Sequence, residues 1–133
     1  MSAFTPAEIE YLESQQLGRL ATVNGEGEPH VVPTGFRYNI ELDTIDIGGH
    51  NLAASKKFHD ARRNGRAAFV VDDVLPPWRT RGVEVRGRAE VIEEGGNKVN
   101  PGLDAELIRL HPTRIVGWGI ETDAYHPNSR SVG

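Results

Sequence analysis

A chain of 133 residues with 38% apolar and 26% charged content is long enough to bury a core as one globular domain. Its 15 Lys and Arg against 19 Asp and Glu give a net charge of −4, which argues against a general nucleic-acid binder that must neutralise many phosphates. The absence of cysteine excludes disulfides, thiolate zinc sites and cysteine nucleophiles. Met1-Ser2-Ala3-Phe4 opens no basic and apolar secretory signal, and no stretch approaches a membrane span, so a cytoplasmic protein with neither membrane nor nucleic-acid partners is expected.

In chain order, Thr5-Pro6-Ala7-Glu8 is a capping box and predicts an N-terminal helix with Ile9, Leu12 and Gln16 on one face, stopping at Leu17-Gly18. Arg19 to Val23 and Pro29 to Arg37 read as strands around the Asn24–Glu28 turn. After a turn at Tyr38–Asp43, Thr44-Ile45-Asp46-Ile47 is a short β-branched strand closed by Gly48-Gly49. Asn51 is the expected cap of a helix from Leu52 to Arg63, ended by Asn64-Gly65. Ala67 to Val71 is the next strand, and Asp72 to Trp78 reads as a loop stiffened by two prolines. Arg81 to Glu93 alternates, with Val83, Val85, Gly87, Ala89 and Val91 on the buried side. Ala105–Leu110 fits a helical turn or a strand; Thr113–Ile120 reads as the last strand. Residues 121–133 form a polar tail, ordered only by docking. Clustered glycines and prolines favour a mainly β barrel with flanking helices, residues 1–133 forming one domain.

No hydrolytic or metal constellation stands out. The histidines at 30, 50, 59, 111 and 126 share no metal-ligand spacing, and Asp72-Asp73 reads as a turn or a magnesium pair. Glu41 and Glu84 lack a partner that would tune them, so spacing assigns no general acid or base. Lys56, Lys57, Arg62 and Arg63 concentrate positive charge on one predicted helix. Lysines at its first turns sit at the positive end of the dipole, where they are unfavourable unless an anion joins them. A solvated charged face is the alternative. Val31-Val32-Pro33-Thr34-Gly35, with Trp78 and Trp118, could line a flat pocket; Pro33 in mid-strand marks an edge, a bulge or a rim. Trp118 also fits a core position.

LGRLATV, PHVVPTGFRYN, TIDIGG, ASKKF, RRNGRAAFVVDD, PPW, VEVRGRAE and RIVGWG together resemble an actinobacterial branch of the pyridoxamine 5′-phosphate oxidase-like split β-barrel family. The resemblance spans about residues 4 to 120 in collinear order. It implies a six-stranded, FMN-binding-like split barrel that dimerises around two cofactor clefts. It further implies coenzyme F420, a deazaflavin, with FMN as the alternative, and hydride transfer to a small unsaturated organic substrate. Val32, Pro33 and Thr34 would meet the redox ring, with Ile47 and Gly48 also at the cofactor. Ser55, Lys56 and above all Lys57 would hold phosphate, and Arg62 or Arg63 the acidic tail. Trp78 and Arg79 would reach the cleft, from the same chain or from the partner subunit, and no side chain is assigned a catalytic role. A non-catalytic cofactor- or haem-binding protein is a further alternative. The chain lacks the arginine-rich C-terminal segment of true pyridoxamine phosphate oxidases, which Tyr125–Arg130 does not replace.

Overall fold

The computed structural model describes residues 2–133. The capping box forms as its sequence dictates: Thr5 Oγ1 accepts from the Glu8 amide at 3.1 Å, and Glu8 Oε1 accepts from the Thr5 amide at 2.9 Å. Helix α1 (Pro6–Glu13) buries Glu8, Tyr11 and Leu12. It ends earlier than expected because Leu17 and Gly18 are drawn into strand β1 (Leu17–Val23), pairing with Gly35 and Thr34. A Cβ at Gly18 would lie 2.3 Å from the Phe69 ring, so only glycine lets this strand lie so close.

Strands β2 (Pro29–Asn39) and β3 (Thr44–Ile47) complete the first meander. Helix α2 (Lys56–Asn64) then leads to β4 (Arg66–Leu75), β5 (Arg79–Ile92), β6 (Leu107–Trp118) and β7 (Asn128–Ser131). All pairings are antiparallel, in the order β3-β2-β1-β4-β5-β6, and β6 returns to β3. This closes a six-stranded barrel, with β7 added outside β6. Leu20, Ile45, Ile47, Phe69, Val85 and Ile115 are among the side chains buried in its interior. The alternation on β5 is as expected: Val83, Val85, Gly87 and Ala89 are buried, while Glu84, Arg86 and Arg88 lie on the other face.

Closure is sealed by a buried ion pair. Asp46 on β3 stands opposite Arg109 on β6, whose Nε and Nη2 donate to its carboxylate at 3.0 and 3.1 Å. Asn39 Nδ2 and Thr44 Oγ1 add bonds of 3.0 Å each.

Several expectations shift. Asn51 sits at φ 51° and makes no side-chain cap; a short 3₁₀ turn, Leu52–Ala54, intervenes, and Ser55 caps α2 by accepting from the Phe58 amide at 3.3 Å. Asp72 and Asp73 do not form a turn, and as neighbours on a strand they point their carboxylates to opposite faces of the sheet. They continue β4 and bind Arg19 at 2.5 Å and Arg81 at 2.8 Å. Leu107–Leu110 is strand, the opening half of β6, so Thr113–Trp118 is its second half rather than a separate strand. The two halves meet at a bulge where the register slips between Arg86 and Gly87; a Cβ on Gly87 would lie 1.9 Å from the His111 carbonyl oxygen.

The polar tail docks. Its β7 pairs with Arg114–Gly117, and the Arg130 guanidinium reaches back to the Ala3 carbonyl at 2.9 Å and to the Glu8 carboxylate. Glu8 is only 1% exposed, so this pair ties both ends of the chain to the barrel. Gly117 makes room for it: a Cβ there would lie 2.3 Å from Glu8 Oε2. Among the described residues no helix is long and apolar enough to cross a membrane.

Candidate functional site

Two of the clefts beside the barrel are lined by candidate residues. The first, about 630 Å³, is walled by β2, the turn after β3, α2 and the loop around residues 99–103. Pro33, Thr34, Gly48 and Lys57 line it together with Gln15, Gln16 and His50. Its β2 wall is an open edge: β3 pairs with β2 only from Phe36 onward, so Pro29–Gly35 has β1 on one side and no strand on the other. That is where Pro33, lacking an amide proton, costs least. Gly48 keeps the far wall close, because a Cβ there would meet Leu103 Cδ1 at 2.8 Å.

Two features of this cleft call for an anionic, hydrogen-bonding ligand. Among the described residues Thr34 Oγ1 is one of two buried side-chain oxygens without a hydrogen-bond partner, the other being Asp60 Oδ2 on α2, which does not line the cleft. A buried hydroxyl left unbonded loses its hydration with nothing in return, so such atoms are rare unless something else completes them. Second, no Asp or Glu is among the residues lining the cleft in a chain of net charge −4, while Lys57 is. Lys57 is half-buried at the first turn of α2, where the amides of the helix start also favour negative charge.

The other candidates separate. Lys56 is exposed and Ile47 is fully buried in the core. Val32 is half-buried opposite Leu20, on the inward side of β2. The Ser55 hydroxyl is taken up in capping, donating to the Leu52 carbonyl at 2.6 Å. Arg63 donates to Asp60 at 3.0 Å and to the Val23 carbonyl at 3.3 Å, and Arg62 lies 5.1 Å above the Phe58 ring. None of these six side chains lines either cleft. Gln15 and His50 come from connecting segments with no periodicity or motif to flag them, and Gln16, expected on the face of the first helix, lies beyond its end at Glu13. Trp118 is neither core nor cleft wall; its half-buried indole covers Gly82.

Trp78 and Arg79 belong to the second cleft, about 820 Å³, between α1, the turn joining β4 to β5, and the start of the tail. A network braces its floor. Tyr11 Oη donates to Asp73 at 2.7 Å, Arg81 donates to the same carboxylate at 2.8 and 3.1 Å, and the Arg81 guanidinium lies 4.8 Å from the Tyr11 ring. Burial, with Asp73 beside it, pushes the Tyr11 phenol well up from its usual range. The Arg81 hydrogen bond holds the Asp73 carboxyl below its ordinary 3.8. The unfolded chain therefore takes up that proton first, and the network's contribution, present above about pH 4, is lost as pH falls through the lowered value. Asp73 is partly exposed, so the expected effect is under about 1 kcal/mol. Denaturant midpoints of Asp73→Asn should accordingly fall less than wild type's between about pH 4 and pH 2.

Among the described residues no three His, Asp or Glu side chains converge as a metal site requires. The closed antiparallel barrel and its open-edged cleft define the split-barrel class. The profile of the pyridoxamine 5′-phosphate oxidase family matches residues 4–119, and the chain belongs to that family of oxidoreductases. It is 48% identical over 122 residues to the 5a,11a-dehydrotetracycline/5a,11a-dehydrooxytetracycline reductase of Streptomyces rimosus, covering 90% of this chain and 86% of that one. Among solved structures it is similar to a conserved hypothetical protein of Mycobacterium tuberculosis, with TM-score 0.71, 22% identity and coverage of 99% and 94%. It is also similar to an FAD-binding protein of Mycobacterium smegmatis, with TM-score 0.65, 22% identity and coverage of 88% and 96%. At these identities the two structures speak for the fold alone.

Proposed function

We propose that this chain is a cytoplasmic reductase that uses the deazaflavin coenzyme F420 to saturate a polarised double bond in a conjugated organic substrate. The observation that carries the reading is the meeting, in one cleft free of lining carboxylates, of Lys57 with the unpartnered Thr34 hydroxyl. The similarity to a dehydrotetracycline reductase supports a conjugated, multi-ring substrate. The collinear resemblance to the deazaflavin branch supports F420 over FMN.

When bound, the reduced deazaflavin supplies a hydride. The chain's own work is binding and orientation. Lys57 and the first amides of α2 hold the phosphate, Thr34 Oγ1 donates or accepts one hydrogen bond, and the β2 edge presents backbone groups at the cleft wall. Negative charge that develops on the substrate would meet the neutral dipoles of the β2 edge there, with its proton drawn from solvent.

The functional unit we propose is a homodimer. Cross-strand pairing sets Val31, Ala21 and Ala68 in one row on the barrel's outer face, with Pro33, Arg19 and Val70 in the next and Gly35 beside Leu17 in the third. Arg19 is neutralised by Asp72, so this flank is largely apolar, with Val31 and Leu17 exposed. A second copy covering it would bury that surface.

Reduced F420 mixed with the protein and a dehydrotetracycline should be oxidised as the substrate's double bond disappears. Reduction with FMN alone would favour the flavin enzyme, and binding without turnover a carrier. Thr34→Val separates structure from function: it removes an unsatisfied hydroxyl, so thermal stability should hold or rise, while cofactor affinity falls by about 0.5–1.5 kcal/mol. Calorimetric melting and a binding titration read the two effects independently.

A further inference from the structure

We infer that the second cleft is a binding site in its own right, for a planar, multi-ring conjugated molecule with an acidic hydroxyl edge. The class of ligand rests on the reductase reading above; the existence of the site rests on the cleft itself.

Trp78 and Tyr125 line this cleft from two different elements, the β4–β5 turn and the tail, and they are 72% and 86% exposed. Two large aromatic rings left in water at the mouth of one cleft are the surface a flat conjugated ring system would cover. Tyr125 is held there by its own turn: Asp123 Oδ1 accepts from the Tyr125 amide at 2.8 Å and from His126 Nδ1 at 2.8 Å. The tail that carries it is fixed in turn by β7 and by Arg130 on Glu8.

Charge sets the orientation. Arg81 is consumed by Asp73, whereas Arg79 has no carboxylate within ion-pairing distance among the described residues. Two acids also line the cleft. Asp123 accepts from His126 Nδ1 at 2.8 Å, and Glu10 lines the cleft from α1 rather than from the β4–β5 turn that carries Arg79. A ligand with one anionic edge would therefore place it at the Arg79 wall and keep its neutral rim toward Glu10 and Ser14. A phenolate or enolate on a fused-ring skeleton has that shape and polarity. A simple aliphatic enone has neither.

The test uses the full chain and two three-ring probes, anthraquinone-2-sulfonate and neutral 2-(hydroxymethyl)anthraquinone, titrated by calorimetry. The sulfonate should bind once per chain. Tyr125→Ala should weaken both probes about tenfold, as expected for loss of a ring partner. Arg79→Gln should weaken the sulfonate about tenfold and leave the neutral probe nearly unchanged. Both residues are exposed, and unchanged thermal melting would show that the variants fold. No saturable binding, affinities indifferent to both substitutions, or loss of probe binding in Lys57→Ala would each overturn the inference, the last by placing the probe in the first cleft. F420 titration of the same proteins keeps the two readings apart. F420 binding without probe binding refutes this site alone. Probe binding that responds to Tyr125→Ala without any F420 binding leaves the site standing and removes the reductase.

Discussion

Replacing Arg109 with methionine should cost about 3–5 kcal/mol of stability, the range for breaking one partner of a buried ion pair. Asp46 would keep its bonds from Asn39 and Thr44, but its side chain, 2% exposed, would lose the charge that balances it. The site is the seam between β3 and β6 that closes the barrel, so the loss would not stay local. The turn after β3 forms one wall of the first cleft, and loosening the seam should reduce cofactor affinity as well. Urea denaturation of Arg109→Met, with Arg86→Met as an exposed control, measures the difference. Arg86 pairs with Glu84 on the surface, where solvent screens the pair, so its loss should be much the smaller. Equal losses for the two variants would refute the argument.

Lys57→Ala should weaken binding of F420 by about 1.5–3 kcal/mol, or roughly 10- to 150-fold, the range for a hydrogen bond to a charged group. Stability should be unchanged or higher by a few tenths of a kcal/mol, because a cation leaves the positive end of a helix. Lys56→Ala is the internal control. Lys56 is exposed and lines neither cleft, so its removal should cost much less. Fluorescence titrations of the two variants read this directly, and equal losses would return the pair to a general charged face.

The barrel was legible wherever local chemistry and long-range pairing agree. The Thr5–Glu8 capping box and the alternation from Val83 to Ala89 report their environment within a few residues. Asn51 misled because a good capping residue also tolerates the left-handed backbone, and here it adopts φ 51° while Ser55 caps the helix. The run through Asp72-Asp73 read as a loop because its acids suit turns, and only Arg19 and Arg81, far away in sequence or across a hairpin, make them strand residues. The tail's order depends on Arg130 finding Glu8, 122 residues away, which no local pattern encodes. At the candidate site, Lys57, Thr34, Pro33 and Gly48 were legible through helix polarity, strand punctuation and family resemblance. Gln15, His50 and Tyr125 were not, because they sit on connecting segments brought to the clefts by the fold, and Gln16 was misplaced because the helix stops at Glu13, short of it. Lys56 and Lys57 are the same residue type side by side; a step of about 100° around the helix decides which of them faces the cleft.

The central claim is that the first cleft grips the anionic end of a deazaflavin. Equilibrium titration of the purified wild-type chain with F420, run beside FMN, tests it most directly. Saturation at one F420 per chain, with tighter binding than FMN and a marked loss in Lys57→Ala, is the predicted result. Failure to bind F420 at all, or binding that Lys57→Ala leaves untouched, would contradict it.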